Sequence, residues 1–189
     1  MKILTQSVRM LLLLTLLLGF GYTFLVTILG AVLFHHEATG SLLRNAKSEI
    51  IGSKLLAQKF ENPKYFWPRP SSGDFASVPS GASNLGPTSA ALKEAVEKRE
   101  KALRESNSNS SDAVPEELLF TSASGLDPHI SPKTAVFQVD RIVKARNLNA
   151  EQKTKLLRLI DESTKNKDSW LGDPIINVLL LNLALDQLG

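Results

Sequence analysis

From Met10 to Phe34 the chain runs 25 residues without a charged side chain, and ten of them are leucine. That run constrains everything else. As an α-helix it spans roughly 37 Å, more than the hydrocarbon core of a bilayer needs. Its leucines alone favour insertion by roughly 3 to 6 kcal/mol. A cleavable signal peptide has an apolar region of about 7 to 15 residues and a small-residue cleavage site. This run is longer, and the "AVLFHHEA" at its end offers no A-x-A. The reading is an uncleaved single-pass anchor over residues 10–34, with a short cytoplasmic N-terminus, 1–9, before it and a soluble domain, 35–189, after it.

Orientation follows from the basic residues. Lys2, Arg9 and the free amine lie close to one end of the run, whereas the first basic residue beyond the other end is Arg44. By proximity the positive-inside rule keeps the N-terminus in the cytoplasm and puts the domain outside. Glu37 is the first acidic residue. A pilin-like helix, which starts beside a processing site with a nearby glutamate, is therefore excluded. His35 and His36 adjoin the end of the run; neighbours on a helix point apart, so an interfacial position suits them better than a metal site.

Beyond the anchor, 20 basic residues face 19 acidic ones. That balance is not a nucleic-acid footprint. Cysteine is absent, which removes disulfides, zinc-thiolate sites and thiol nucleophiles. The 155 residues past Phe34 suffice for one core.

The expected fold is a mixed α/β (α+β) soluble domain tethered by one N-terminal transmembrane helix. Apolar doublets around Gly52-Ser53 predict two short strands within Thr39–Phe60. Asn62–Ser89 holds five prolines and is expected to run as ordered turns. A helix follows, capped by Thr88 or Ser89, with Leu92, Val96, Arg99 and Leu103 on one face. The polar "ESNSNSSD" ends it in a flexible loop at about 105–113. Ser131 is a cap candidate with Pro132 at the first helical position, ahead of Ala135, Val136, Val139, Ile142 and Val143. Asn149 and Gln152 form a capping box before Leu156, Leu157, Leu159 and Ile160. A last helix is expected from Asp173 as cap and Pro174 through the apolar run to Leu188.

The stretch "SASGLDPHISPKTA", Ser122–Ala135, concentrates the chemistry-bearing residues. A Ser–His–Asp triad is not supported, because Asp127, Pro128 and His129 are nearly adjacent and no G-x-S-x-G elbow precedes them. The plainest reading is a turn at Gly125, an Asx turn at Asp127 and a cap at Ser131. Hydroxyls and backbone N–H groups at a helix start also make a candidate anion site. No nucleotide-hydrolysing G-x-x-x-x-G-K-[ST] loop is present. Tyr65, Phe66 and Trp67 read as a packing plug or as an aromatic anchor for a partner. Arg69, Arg141, Lys144 and Arg146 read as a solvated face.

"YFWPRPSS", "SNLGPTS", "TSASGLDPHISP", "QVDRIVKARNL" and "LGDPIINVLLLNLALD" occur in this order behind one N-terminal span. Together they resemble KdpC, the accessory-subunit family of the bacterial potassium-transporting Kdp ATPase, along the whole chain. The resemblance implies a chain that is no enzyme itself but supports assembly of the complex and acts as a catalytic chaperone raising its ATP affinity. It implies three partners in the inner membrane: a channel-like potassium-binding subunit, a P-type ATP-hydrolysing subunit and a small single-span subunit. No tightly bound cofactor is implied, though ATP is a possible ligand. The family's nucleotide candidates map to Ser122, Ser124, Gly125, Asp127, His129, Ser131 and Gln138. Docking candidates are Tyr65, Phe66, Trp67, Arg69, Asn84 and Leu85, and Gly19, Gly21 and Gly30 are candidates for close helix packing in the membrane. Direct ATP contact needs a cytoplasmic domain, against the orientation read from the charges. An external domain would act instead as a cap over the potassium entrance.

Overall fold

The computed structural model describes residues 1–45, 47–107, 113–166 and 170–188. Positions 108–112 of the expected flexible loop lie outside them. The chain divides into two compact units, Met1–Leu42 and Leu43–Gly189.

The first unit is built on one helix, α1, Lys2–Leu33, with a mean hydropathy of 2.2 in its most apolar window. It starts eight residues before the uncharged run and ends when Phe34 leaves helical geometry. None of its residues is buried within the chain. Over Thr15–Tyr22 the helix widens to π-type geometry, a stretch that contains Gly19 and Gly21. Thr23 and Thr27 donate their hydroxyls to the carbonyls of Leu18 and Thr23, at 3.3 and 2.8 Å. Those bonds keep polar groups satisfied on an otherwise apolar rod. A single turn, α2, His35–Ala38, follows.

The second unit combines helices with two small sheets. β1, Leu42–Arg44, pairs with β2, Ile50–Ser53, where two short strands are expected. Residues 62–89 contain no helix or strand. α3, Ala90–Ser106, starts where the Ser89 hydroxyl accepts from the Leu92 N–H, 3.4 Å. α4, Glu116–Leu119, is one turn. β3, His129–Ile130, then pairs antiparallel with β4, Ile176–Asn177, in the register His129↔Asn177 and Ile130↔Ile176.

Between these strands lie α5, Pro132–Phe137, α6, Val139–Arg146, and α7, Ala150–Ser163. Ser131 caps α5, and the Asn149–Gln152 box caps α7 with both reciprocal bonds at 2.9 Å. Asn147 closes α6 in the left-handed conformation, φ 54°, which asparagine tolerates. α8, Val178–Asp186, completes the chain.

Three expectations are corrected. The final helix begins at Val178, not Pro174. Residues 176–177 are extended against β3, and the Asn177 side chain accepts from the Leu180 N–H, 3.1 Å, making it the cap in place of Asp173. The helix after Ser131 breaks at Gln138, which turns Val136 outward to 49% exposure. Leu157 is likewise 39% exposed rather than core.

One core gathers Phe66, Ile142, Leu156, Ile160, Ile176 and Leu181, all at most 2% exposed. A smaller one joins Leu103, Val114, Leu118, Leu119 and Phe137, with Trp67 packed against it. Phe66 and Trp67, neighbours in sequence, thus serve different cores.

Candidate functional site

The 122–131 loop is held by its own chain at every turn. The Ser122 N–H donates to Pro70 O, 3.1 Å, and Ala57 N–H to Leu126 O, 2.9 Å. Gly125 sits at φ +70°, and an added Cβ there would come within 3.0 Å of Gly81 O. Asp127 Oδ1 accepts from the His129 N–H, 3.0 Å, which is the expected Asx turn. Its other oxygen pairs with Arg69 Nη1 at 3.1 Å, and His129 Nδ1 lies 3.4 Å from Oδ1.

Several donors that could greet an anion are engaged internally. Glu117 Oε2 accepts the Ser131 N–H, 2.9 Å, so a carboxylate of this chain already lies at the start of α5. Ser131 Oγ accepts the Thr134 N–H, 3.2 Å, and Ser124 Oγ accepts the Leu126 N–H, 3.1 Å. Ser122 is 2% exposed and Gln138 is wholly buried. Ser122, Ser124, Gly125, Asp127, His129 and Ser131 share one loop. Gln138 lies apart, inside the domain. These residues fit a self-satisfied turn better than the phosphates of a nucleotide, which need several open donors.

Gln138 instead grips the aromatic segment. Trp67 N–H donates to Gln138 Oε1, 2.7 Å, and Gln138 Nε2 donates to Trp67 O, 3.1 Å. Asn182 does the same for the preceding residue: Phe66 N–H donates to Asn182 Oδ1, 2.8 Å, and Asn182 Nδ2 donates to Phe66 O, 3.0 Å. Each amide side chain thus stands in for a β-strand partner.

Arg141 completes the clamp. Its Nη1 donates to Pro63 O and Tyr65 O, 2.7 and 2.9 Å, and its Nη2 to Gln138 Oε1, 2.6 Å. Its Cζ lies 3.7 Å from the centre of the Trp67 ring. The residue is 4% exposed, not part of a solvated face as expected from sequence. Arg146 also leaves that face, with a side chain 14% exposed and an ion pair to Asp186, 2.6 Å. Burial without a carboxylate pushes the Arg141 guanidinium down to about 9.

The clamp decides which docking candidates reach the surface. Phe66 is wholly buried, so it is a core plug and not an anchor for a partner. Tyr65 is half-buried, and its hydroxyl donates to Asp186 Oδ2, 3.1 Å. Trp67 and Arg69 are half-buried beside a cleft, and Asn84 and Leu85 are exposed. In α1, nothing lies within 4 Å of a Cβ built at Gly30, and Gly19 and Gly21 meet only atoms at 3.8 Å.

Sequence reasoning missed Asn182, Arg141 and Glu117 as organising residues. The signal for Asn182 was available: a polar amide within "VLLLNLALD" must be bonded if that face is buried.

Residues 4–187 match the model of the family "KdpC: K+-transporting ATPase, c chain". The chain belongs to the KdpC family. Relatives named potassium-transporting ATPase KdpC subunit match it along nearly their full length. The one from Leptospira interrogans is 44% identical over 99% of this chain and 95% of its own. That from Geobacter sulfurreducens is 44% identical over 100% and 99%. That from Serratia proteamaculans is 43% identical over the whole of both chains. Within the family setting, the clamp of Gln138, Arg141 and Asn182 fixes the "YFWPRP" segment, and the Asp127–Arg69 pair ties that segment to the "SASGLDPHISP" loop.

Proposed function

We propose that this chain is a non-catalytic accessory subunit of an ATP-driven potassium-uptake complex. In this reading α1 spans the bacterial inner membrane with residues 1–9 in the cytoplasm, and the 35–189 domain lies outside. Its partners are a channel-like potassium-binding subunit, a P-type ATP-hydrolysing subunit and a small single-span subunit.

The observation that carries the reading is the end-to-end likeness to potassium-transporting ATPase KdpC subunits. Two features support it. The apolar side chains of α1 bury against nothing in their own unit, so lipid or partner helices must cover them. Gly19, Gly21 and Gly30 leave room there for close approach. Several polar groups of the 122–131 loop are committed to the fold, which favours support of the complex through contact over handling of nucleotide. Any rise in the ATP affinity of the enzyme subunit is then a consequence of assembly, with the domain acting as a cap over the potassium entrance.

The test uses the absence of cysteine. Glu94 is exposed on α3. A Glu94→Cys chain in intact cells, co-expressed with its partner subunits, is expected to react with a membrane-impermeant maleimide and to co-purify with the ATPase. Protection until lysis would reverse the orientation. Absence from the purified complex would remove the accessory role.

A further inference from the structure

A cleft of about 410 Å³ runs between the 59–75 segment and α3. Its walls are largely apolar, with Phe60, Trp67, Phe75 and Leu103 among them, yet Lys59, Arg69 and Arg99 also line it against a single acid, Glu61. Glu61 and Asp74 both hold Lys59, at 3.1 and 2.9 Å. With Arg69 paired to Asp127, the cation without a carboxylate partner is Arg99.

Arg69 gives Nη1 to Asp127, while its Nε is buried without an acceptor. Arg99 donates Nη1 to the Leu119 carbonyl, 2.7 Å, and forms no ion pair among the described residues. Burial alone lowers its pKa, with no carboxylate to offset it. Guanidinium groups present several N–H donors in a planar fork that suits a carboxylate.

We propose that the cleft between the 59–75 segment and α3 seats an acidic segment of a partner subunit, its carboxylate meeting Arg99 and its apolar side chains covering Trp67, Phe75 and Leu103. The inference rests on the accessory-subunit reading. A small inorganic anion would answer the charge but leave the apolar walls wet. A neutral peptide would cover the walls but bury Arg99 without a counter-charge. Only an amphipathic acidic segment satisfies both.

Ala102 lines the cleft and is exposed, so it can carry the probe. The full chain with p-benzoylphenylalanine at position 102, assembled with its partner subunits in membranes, is irradiated and the cross-linked peptide identified by mass spectrometry. The expected product is a partner peptide with an Asp or Glu within a few residues of the linkage. Arg99→Glu should then lower recovery of the chain in the purified complex about tenfold, and replacing the partner carboxylate by Arg should restore it. Ala102→Glu, which leaves the Arg99–Leu119 bond alone, should weaken recovery in the same direction. Cross-links only to lipid, to a segment without acids or to nothing in an intact complex overturn the proposal. So do full retention of both variants and failure of the charge swap. If the unaltered chain does not enter the complex, the accessory-subunit reading falls first and this inference with it.

Discussion

The guanidinium of Arg141 lies 3.7 Å over the ring of Trp67 while it donates to the carbonyls of Pro63 and Tyr65. One buried cation thus organises three residues of a segment that has no helix or strand of its own. Carbonyls in such a segment must find partners when they are buried, or the loop cannot be ordered. Arg141→Ala leaves the Pro63 and Tyr65 carbonyls without this donor and removes the stacking. It should destabilise the unit by about 3 kcal/mol. Arg141→Lys should recover only part of this, because an ammonium cannot fork to two carbonyls and stack at once. Denaturant unfolding followed by tryptophan emission reads both. Equal stability of wild type and Arg141→Ala would mean the clamp is ornamental.

Gln138 and Asn182 hold adjacent residues, Trp67 and Phe66, each through a donor and an acceptor on the same peptide chain. Each amide bonds a different residue, yet both fix one short segment. Gln138→Ala and Asn182→Ala should each cost about 2 to 3 kcal/mol. The double variant should lose less than their sum, by at least about 0.5 kcal/mol, because the second change acts on a segment already released. A double-mutant cycle from equilibrium unfolding measures that coupling, and strict additivity would show two independent anchors.

Local signals made the helix starts legible: Ser89, Ser131 and the Asn149–Gln152 box all cap where the sequence puts them. Their bonds span three residues, so the information lies within the motif. The last helix was misread at its start because what makes residues 176–177 extended is pairing with His129 and Ile130, more than forty positions away. Arg141 was misread for a similar reason. On its own helix it looks like a solvent-facing cation beside Lys144, and only the distant aromatic segment folds over it. The 122–131 loop was readable as a turn, but the arrival of Glu117 at Ser131 was not. That bond decides whether the start of α5 is open to an outside anion.

Gly125 is a position where glycine is required twice over. Its φ of +70° disfavours any side chain, and an added Cβ would come 3.0 Å from Gly81 O and 3.2 Å from Ser71 Oγ. Gly125→Ala should therefore cost about 1 to 3 kcal/mol, with the strain confined to the contact between the two loops. Amide hydrogen exchange should show faster exchange at Ser122 N–H, bonded to Pro70 O, before the Phe66 core loosens. Unchanged protection there would argue that the loops do not need each other.

Tyr65 gives a sign that can be checked by titration. Burial raises its pKa above the ordinary 10.0, and the bond to Asp186 and that carboxylate's charge raise it further, while Arg146 opposes them. The folded state thus favours the neutral phenol. The stability it contributes is complete below the unfolded value near 10 and is lost as pH rises through the folded value. In a Tyr22→Phe chain, where Tyr65 is the remaining tyrosine, tyrosinate absorbance should rise with a midpoint above 10. Asp186→Asn removes the neighbouring negative charge and leaves Arg146 to favour the phenolate, so the midpoint should fall. A midpoint that stays put or climbs in Asp186→Asn would mean that Asp186 does not hold the Tyr65 hydroxyl, and that the far end of the aromatic segment is tied down by something else.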